Sequence, residues 1–257
     1  MKRAVASLMR LFGLLLVTAL ALQLYFLARV ALMVWVDPQS TTVQRSEIWR
    51  LVRQPGALSW SQQWLPYPRI SRHLKRAVVA SEDAGFAEHA GVDWDALERA
   101  WERNQRAEAS AERANVRAEH RAERNGAAVG HRRIAKIVGG STITQQLAKN
   151  LFLGGERSLA RKGQEIVVTG FLEALLGKER ILEIYLNEVE WGEGIFGAEA
   201  AARHYFDVGA AGLSVAQAAR LAVMLPAPRR FQKRPASPYL LSRASTVMAR
   251  MGAVELP

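Results

Sequence analysis

Residues 81–93, SEDAGFAEHAGVD, decide how the rest of the chain is read. They close the short apolar run 77–80 and set Glu82 and Asp83 directly against it, with no adjacent cation to neutralise them. A carboxyl group in that position is expected to be partly desolvated, which raises its pKa and makes it a usable proton acceptor near neutral pH. The plain alternative is a helix C-terminus with two solvated acids followed by a turn. This stretch taken alone leaves both open.

A second stretch, 139–150, reads GGSTITQQLAKN. Thr142 and Gln145 have the spacing of a capping box, so the two glycines deliver the chain into a helix start with free backbone N–H groups. On the helix that follows, Ile143, Leu147 and Leu151 share one face, and Thr142, Gln145, Gln146 and Lys149 share another. Such a start, with a lysine two turns in, suits a phosphate or diphosphate. It is not a Walker loop, because the lysine does not follow the glycine; a capped amphipathic helix with a surface lysine fits the same residues. Arg157, Arg161 and Lys162 then precede Glu165 by about a turn or two, on a helix whose apolar face is read as Val167, Phe171 and Leu175. These cations can hold an anionic leaving group beside the carboxylate, or simply pair with it.

Outward from these stretches, the amino end speaks to compartment. The run 11–36 is apolar apart from Thr18, Gln23 and Arg29, long enough to cross a bilayer as a tilted helix. Lys2, Arg3 and Arg10 precede it, which leaves residues 1–10 in the cytoplasm and everything after Asp37 outside. The span exceeds the h-region of a signal peptide and lacks a clear small-x-small cleavage site, so an uncleaved anchor is expected. Residues 37–69, with Pro38, Pro55, Gly56, Pro66 and Pro68 among polar residues and tryptophans, read as an irregular stalk. Trp49, Trp60 and Trp64 suit either lipid headgroups or packing on the domain.

The chain has 257 residues, 49% hydrophobic and 23% charged, with a net charge of +11 and no cysteine. Disulfides and thiolate metal sites are thereby excluded, and the charge points to an anionic partner. Asp93 is placed to cap a helix from Trp94, with Leu97 and Trp101 as its apolar stripe. Residues 103–136 then alternate arginine, glutamate and alanine, which makes them a helix polar all round or a charged, mobile excursion. With no aromatic interleaving, nucleic acid is not the expected partner. Further helices are expected over 179–187, with Ile181 and Tyr185 at core spacing, over 198–205, from a Ser214–Gln217 capping box to Pro226, and over 240–251. Residues 191–197 read as a glycine-spaced loop.

Taken in order, Glu82-Asp83-x-x-Phe86-x-x-His89-x-Gly91-x-Asp93, Gly140-Ser141-Thr142-Ile143-Thr144-Gln145-Gln146-Leu147-x-Lys149-Asn150, Arg161-Lys162-x-x-Glu165 and Ile181-Leu182-Glu183-x-Tyr185-Leu186-Asn187 resemble the successive signatures of the peptidoglycan glycosyltransferases. The likeness covers about 70–251 and is closest to the monofunctional members, which lack a transpeptidase domain. It implies a mainly α, lysozyme-like glycosyltransferase domain over 70–257 with one N-terminal transmembrane helix, in the inner membrane with the catalytic side periplasmic. It implies polymerisation of lipid II into glycan strands with release of undecaprenyl diphosphate and inversion at the anomeric carbon.

Under that resemblance Glu82 is the general base and Glu165 the second catalytic carboxylate, orienting cations or a divalent ion. Lys149, Arg157, Arg161 and Lys162 would hold the diphosphate. Asp83, Phe86, His89, Ser141, Thr142, Gln145, Gln146 and Asn150 would complete the substrate-binding set. No cofactor is required, with Mg²⁺ or Mn²⁺ at most stimulatory. Partners are lipid II, the growing strand, the membrane, and other cell-wall synthesis or division proteins. Three departures from the family pattern stand out: the long link 103–136, Phe196 where a tyrosine is common, and Gln164 at a position basic in some relatives. A membrane-anchored lysozyme-like hydrolase is the rival enzyme, since two carboxylates across a cleft serve both reactions. A basic, non-enzymatic scaffold is the third reading; it leaves Glu82 and Lys149 unexplained.

Overall fold

The computed structural model describes residues 2–53, 59–125, 131–135, 139–156 and 158–257. In chain order the helices are α1 (Lys2–Leu32), α2 (Thr42–Val52), α3 (Arg72–Glu82), α4 (Trp94–Asn125), α5 (Ile143–Phe152), α6 (Leu159–Leu175), α7 (Lys178–Glu188), α8 (Ala198–Phe206), α9 (Val215–Met224), α10 (Pro228–Phe231) and α11 (Pro238–Arg250). Strands β1 (Ser61–Gln62), β2 (Glu190–Gly192) and β3 (Ile195–Phe196) form a small sheet in the order β1-β3-β2. Residues 93–141 make one compact unit and the rest of the chain another.

The larger unit is built on capped helices that bury one face each. Thr142 caps α5 and Ser214 caps α9, each with the reciprocal Gln145 or Gln217 bond. On α5 the expected stripe Ile143, Leu147 and Leu151 is buried, at 0%, 0% and 3% exposure; each such side chain contributes about 1.5–3 kcal/mol. Ile181 and Tyr185 of α7 are fully buried as well. The alanine-rich faces of α8 and α9 let neighbours approach closely, and α9 packs on both α3 and α11. Trp191 fills the centre and donates its indole N–H to the Leu221 carbonyl at 3.0 Å. On α6 the expected face is only partly inward: Phe171 packs against the core, but Val168 and Leu172 are the buried residues, while Val167 and Leu175 are exposed. The run around them is apolar on all sides, so periodicity could not choose the inward residues.

Residues 191–197, read as a loop, form most of the β2–β3 hairpin. Gly194 and Gly197 adopt φ +69° and +81°, and a Cβ on Gly194 would stand 2.0 Å from the Ser59 carbonyl oxygen. β1 pairs with β3 in parallel, and Trp60 stacks on Phe196 at 4.7 Å.

The region expected to be a stalk is part of this unit. Thr41 and Gln44 form a third capping box that starts α2, and α2 packs against α5. Its inward residues are polar, which hid it from a search for apolar stripes. Gln44 and Glu47 are each 1% exposed. Glu47 accepts hydrogen bonds from Arg50 at 2.7 and 2.8 Å and from Arg229 at 2.7 Å. Trp60 and Trp64 pack on the domain, whereas Trp49 stays exposed under Arg53.

Gln44 also donates to Glu188 Oε2 at 2.6 Å. Burial pushes the Glu188 carboxyl up to about 8 from 4.5, against the Gln44 and Gln62 bonds. Between pH 4.5 and about 8 the folded chain keeps a proton that the unfolded chain has lost, so stability falls as pH rises across that window. Glu188→Gln is expected to abolish this slope and to stabilise the protein above pH 8 by about 2–4 kcal/mol, with little effect at pH 4.5. Thermal unfolding of both forms as a function of pH checks it.

The anchor helix differs from expectation at both ends. It begins at Lys2, and its apolar span is Val5–Leu32. Its last turns are docked on the larger unit: Phe26, Val30 and Met33 are buried, Phe26 meets Phe152 edge-on at 5.3 Å, and α1 packs along α6. Gln23 and Gln164 exchange two amide hydrogen bonds, 2.8 and 3.0 Å. Arg180 of α7 clamps the outer end through the Met33 carbonyl at 2.9 Å and Asp37 at 2.7 Å. The part of α1 before Gln23, from Val5 on, is about 27 Å long at 1.5 Å per residue, close to a bilayer's hydrocarbon thickness.

In the smaller unit the helical alternative for the charged segment holds through Asn125. Asp93 Oδ1 accepts from the Ala96 N–H at 2.7 Å, as expected of a cap. Leu97 and Trp101, expected as the apolar stripe of α4, are 44% and 66% exposed, and Trp94 at its start is 67% exposed. Asn115 ties α4 to Arg133 through both its amide groups, at 2.7 and 3.0 Å.

Candidate active site

Glu82 is the last residue of α3 and Asp83 its C-cap, so one helix end delivers two adjacent carboxylates into different surroundings. Glu82 is half-buried. Burial pushes its carboxyl above the ordinary glutamate value, helped by Asp83 and opposed by hydrogen bonds from Gln146 and Ser81 and by the charge of Lys149. The Gln146 amide lies 3.0 Å from Glu82 Oε2. The desolvated acceptor expected from the sequence is therefore Glu82.

Asp83 has a different place from a substrate contact. It is 7% exposed, and its Oδ2 accepts from the Ile143 N–H, the first of α5, at 2.9 Å. Its Oδ1 meets His89 Nε2 at 2.8 Å. Because the Gly91 N–H donates to His89 Nδ1 at 3.1 Å, the ring proton is on Nε2 and points at Asp83. Phe86 is fully buried under Lys178, whose ammonium lies 4.6 Å from the ring centre and also bonds the His89 carbonyl and Glu173. Thr144 donates to the same Glu173 oxygen at 2.6 Å. Gly91, at φ +84°, lets Thr142 donate to its carbonyl at 2.6 Å; a Cβ there would lie 2.6 Å from Thr169 Cγ2. Asp83, Phe86, His89 and Gly91 thus build the turn that joins α3 to the start of α5 and holds Glu82 beside it.

The cations come from α5 and α6. Lys149 is an exposed side chain, yet desolvation by its surroundings holds its ammonium below the ordinary lysine value, with Glu165 and Glu82 pulling it up and Arg161 and Lys162 pushing it down. All four groups therefore lie within electrostatic reach of one lysine. Glu165 is buried, pairing with Arg161 at 2.7 Å and with Lys162. Pairing, one of the two sequence alternatives, is what the free protein shows; Arg161 Nε remains without an acceptor among the described residues. Each of the two Glu165 oxygens accepts from one of these cations in the free protein. Among the described residues no group of three or more His, Cys, Asp or Glu side chains is placed to hold a metal ion.

The remaining expected residues fall as follows. Thr142 and Gln145 cap α5, and Gln145 is buried. Gln146 is turned to Glu82, and Asn150 is half-buried beside Lys149 in sequence. Ser141 is exposed at the end of the smaller unit, and Arg157 lies outside the described residues. Tyr185, read only as a core residue, donates its hydroxyl to Gln146 Oε1 at 3.0 Å. The signal for it was available, since a fully buried phenol needs a polar partner.

A half-buried carboxylate within electrostatic reach of Lys149, which itself neighbours Arg161 and Lys162, lies on a helical unit clamped to an apolar helix. The chain belongs to the transglycosylase family, whose model matches residues 52–114 and 121–252. It is 49% identical over 238 residues to a biosynthetic peptidoglycan transglycosylase of Burkholderia thailandensis, covering 93% of this chain and 83% of that one. A protein of the same name from Bordetella pertussis is 51% identical over 237 residues, with 91% and 89% covered. Another from Paraburkholderia xenovorans is 48% identical over 239 residues, with 93% and 88% covered. The larger unit accordingly has the lysozyme-like helical fold of that family.

Proposed function

We propose that this peptidoglycan glycosyltransferase joins lipid II units with Glu82 as the base and Lys149, Arg161 and Lys162 as the diphosphate site. Glu82 takes the proton of the acceptor's 4-hydroxyl as that oxygen attacks the anomeric carbon of the growing strand. The bond from that carbon to the diphosphate oxygen breaks, its electrons leave with undecaprenyl diphosphate, and the centre inverts. Negative charge develops on the leaving oxygen, where pre-placed cations act most strongly. Glu165 keeps Arg161 and Lys162 in place between turnovers. A diphosphate is already a good leaving group, so Glu165 need not donate a proton to it, unlike the acid of a hydrolase.

The observation that carries this reading is the position of the cation cluster relative to the anchor. Arg161, Lys162 and Glu165 share the turn of α6 whose Gln164 pairs with Gln23 of the apolar helix. A substrate with a charged head and a membrane-dissolved tail is met by that geometry, and a water-soluble glycan has no need of it. The basic residues ahead of the span support an amino end in the cytoplasm and a catalytic unit on the periplasmic side of the inner membrane.

The detergent-solubilised full chain is expected to convert lipid II into long glycan and to leave preformed glycan uncut. Lys149→Ala is expected to lower the rate by roughly 10²-fold or more, the size of effect seen when one charge-stabilising donor is removed. Shortening of preformed glycan without polymerisation would support the hydrolase instead.

A further inference from the structure

Glu82 is held by Gln146, which is held in turn by a buried residue of α7. The carboxylate is faced by Ser81 of α3 and its C-cap Asp83, Gln146 and Lys149 from α5, and Tyr185 from α7. An ionised carboxylate only accepts hydrogen bonds, so the Gln146 group 3.0 Å from it must be the amide NH₂. The Gln146 carbonyl is thereby turned the other way, where it meets the Tyr185 hydroxyl at 3.0 Å. Tyr185 is fully buried, and its phenol is pushed well above its ordinary value by burial and by Glu82 and Asp83, so it stays a donor at any working pH.

We propose that Tyr185 is a positioning residue for the reaction: its hydroxyl fixes the Gln146 amide so that the NH₂ group points at the Glu82 carboxylate and holds it. This rests on Glu82 being the base. Without the hydroxyl, the Gln146 carbonyl loses the one donor that the described residues give it, and the amide is free to turn over and present oxygen to Glu82. The carboxylate then loses the bond that favours its charged form, and it takes up a proton more readily.

The test is the pH dependence of kcat/KM for lipid II polymerisation, which reports the base in the free enzyme. Wild type, Tyr185→Phe, Gln146→Met, the double variant and Glu82→Gln are compared, with melting curves to confirm folding. Tyr185→Phe is expected to move the acidic limb up by about one pH unit, a roughly tenfold loss on the acid side. The alkaline plateau should stay within about threefold of wild type. Gln146→Met should move the limb in the same direction, and the double variant no further than Gln146→Met alone, because the two act in series. A uniform loss at all pH values with the limb unmoved would mean a packing role only and would sink the proposal. If Tyr185→Phe does not fold, an unmoved limb in Gln146→Met sinks it equally. An acidic limb that persists unchanged in Glu82→Gln belongs to another group and overturns the base assignment itself, a result separate from either of these.

Discussion

Glu82→Gln is expected to lower lipid II polymerisation by about 10²–10⁴-fold, the range for removing a general base, while leaving the protein as stable as wild type or more so. The second half follows from the first. Burial raises the Glu82 carboxyl because the charged form is unfavourable at that helix end; a neutral amide of the same shape removes the cost and can still accept from Gln146. In wild type the acidic limb of kcat/KM should lie above the ordinary glutamate range, since the raised group must be deprotonated to act, and activity should fall as pH drops through it. Rates on lipid II beside melting curves check both parts. A large loss of stability together with the loss of rate would make Glu82 a structural residue.

Its neighbour should behave in the opposite way. Asp83→Ala removes the acceptor of the first α5 N–H, which is buried, and the partner of the half-buried His89 ring, leaving both unpaired. The expected loss is about 2–4 kcal/mol of stability, or about 2–4 °C of melting temperature per kcal/mol in a chain of this size. Activity should fall too, because α5 carries Gln146 and Lys149, but through misplacement of the site instead of loss of the base. Asp83→Asn is expected to recover only part of the stability: its oxygen can accept from Ile143, but its amide nitrogen would face the His89 N–H. Two adjacent carboxylates, one proposed for proton transfer and one bracing the fold, are thus separable by measuring rate and stability on the same samples.

Local order was legible where chemistry acts over a few residues. The Thr142–Gln145 and Ser214–Gln217 boxes, the Asp93 cap and the α5 stripe are short-range patterns, and each is where it was expected. The pressure on Glu82 could be read from an apolar run ending in an acid. α2 was missed because its buried face is Gln44 and Glu47, whose partners Glu188 and Arg229 are more than a hundred residues away. The inward face of α6 was missed because an all-round apolar run suits more than one rotation of the helix.

Composition, spacing and caps determine that this chain is largely helical, with one helix long and apolar enough to cross a membrane and an acid closing the apolar run of α3, and its ordered motifs carry the resemblance to the transferases, because those signals lie in neighbouring residues. Which of Glu82 and Asp83 braces the fold, and that Gln23 inside the apolar helix pairs with Gln164, depend on groups brought together from distant parts of the chain. Burial and hydrogen-bond geometry belong to that packing, and two adjacent acids with the same local sequence take different roles only once α5 has closed over one of them.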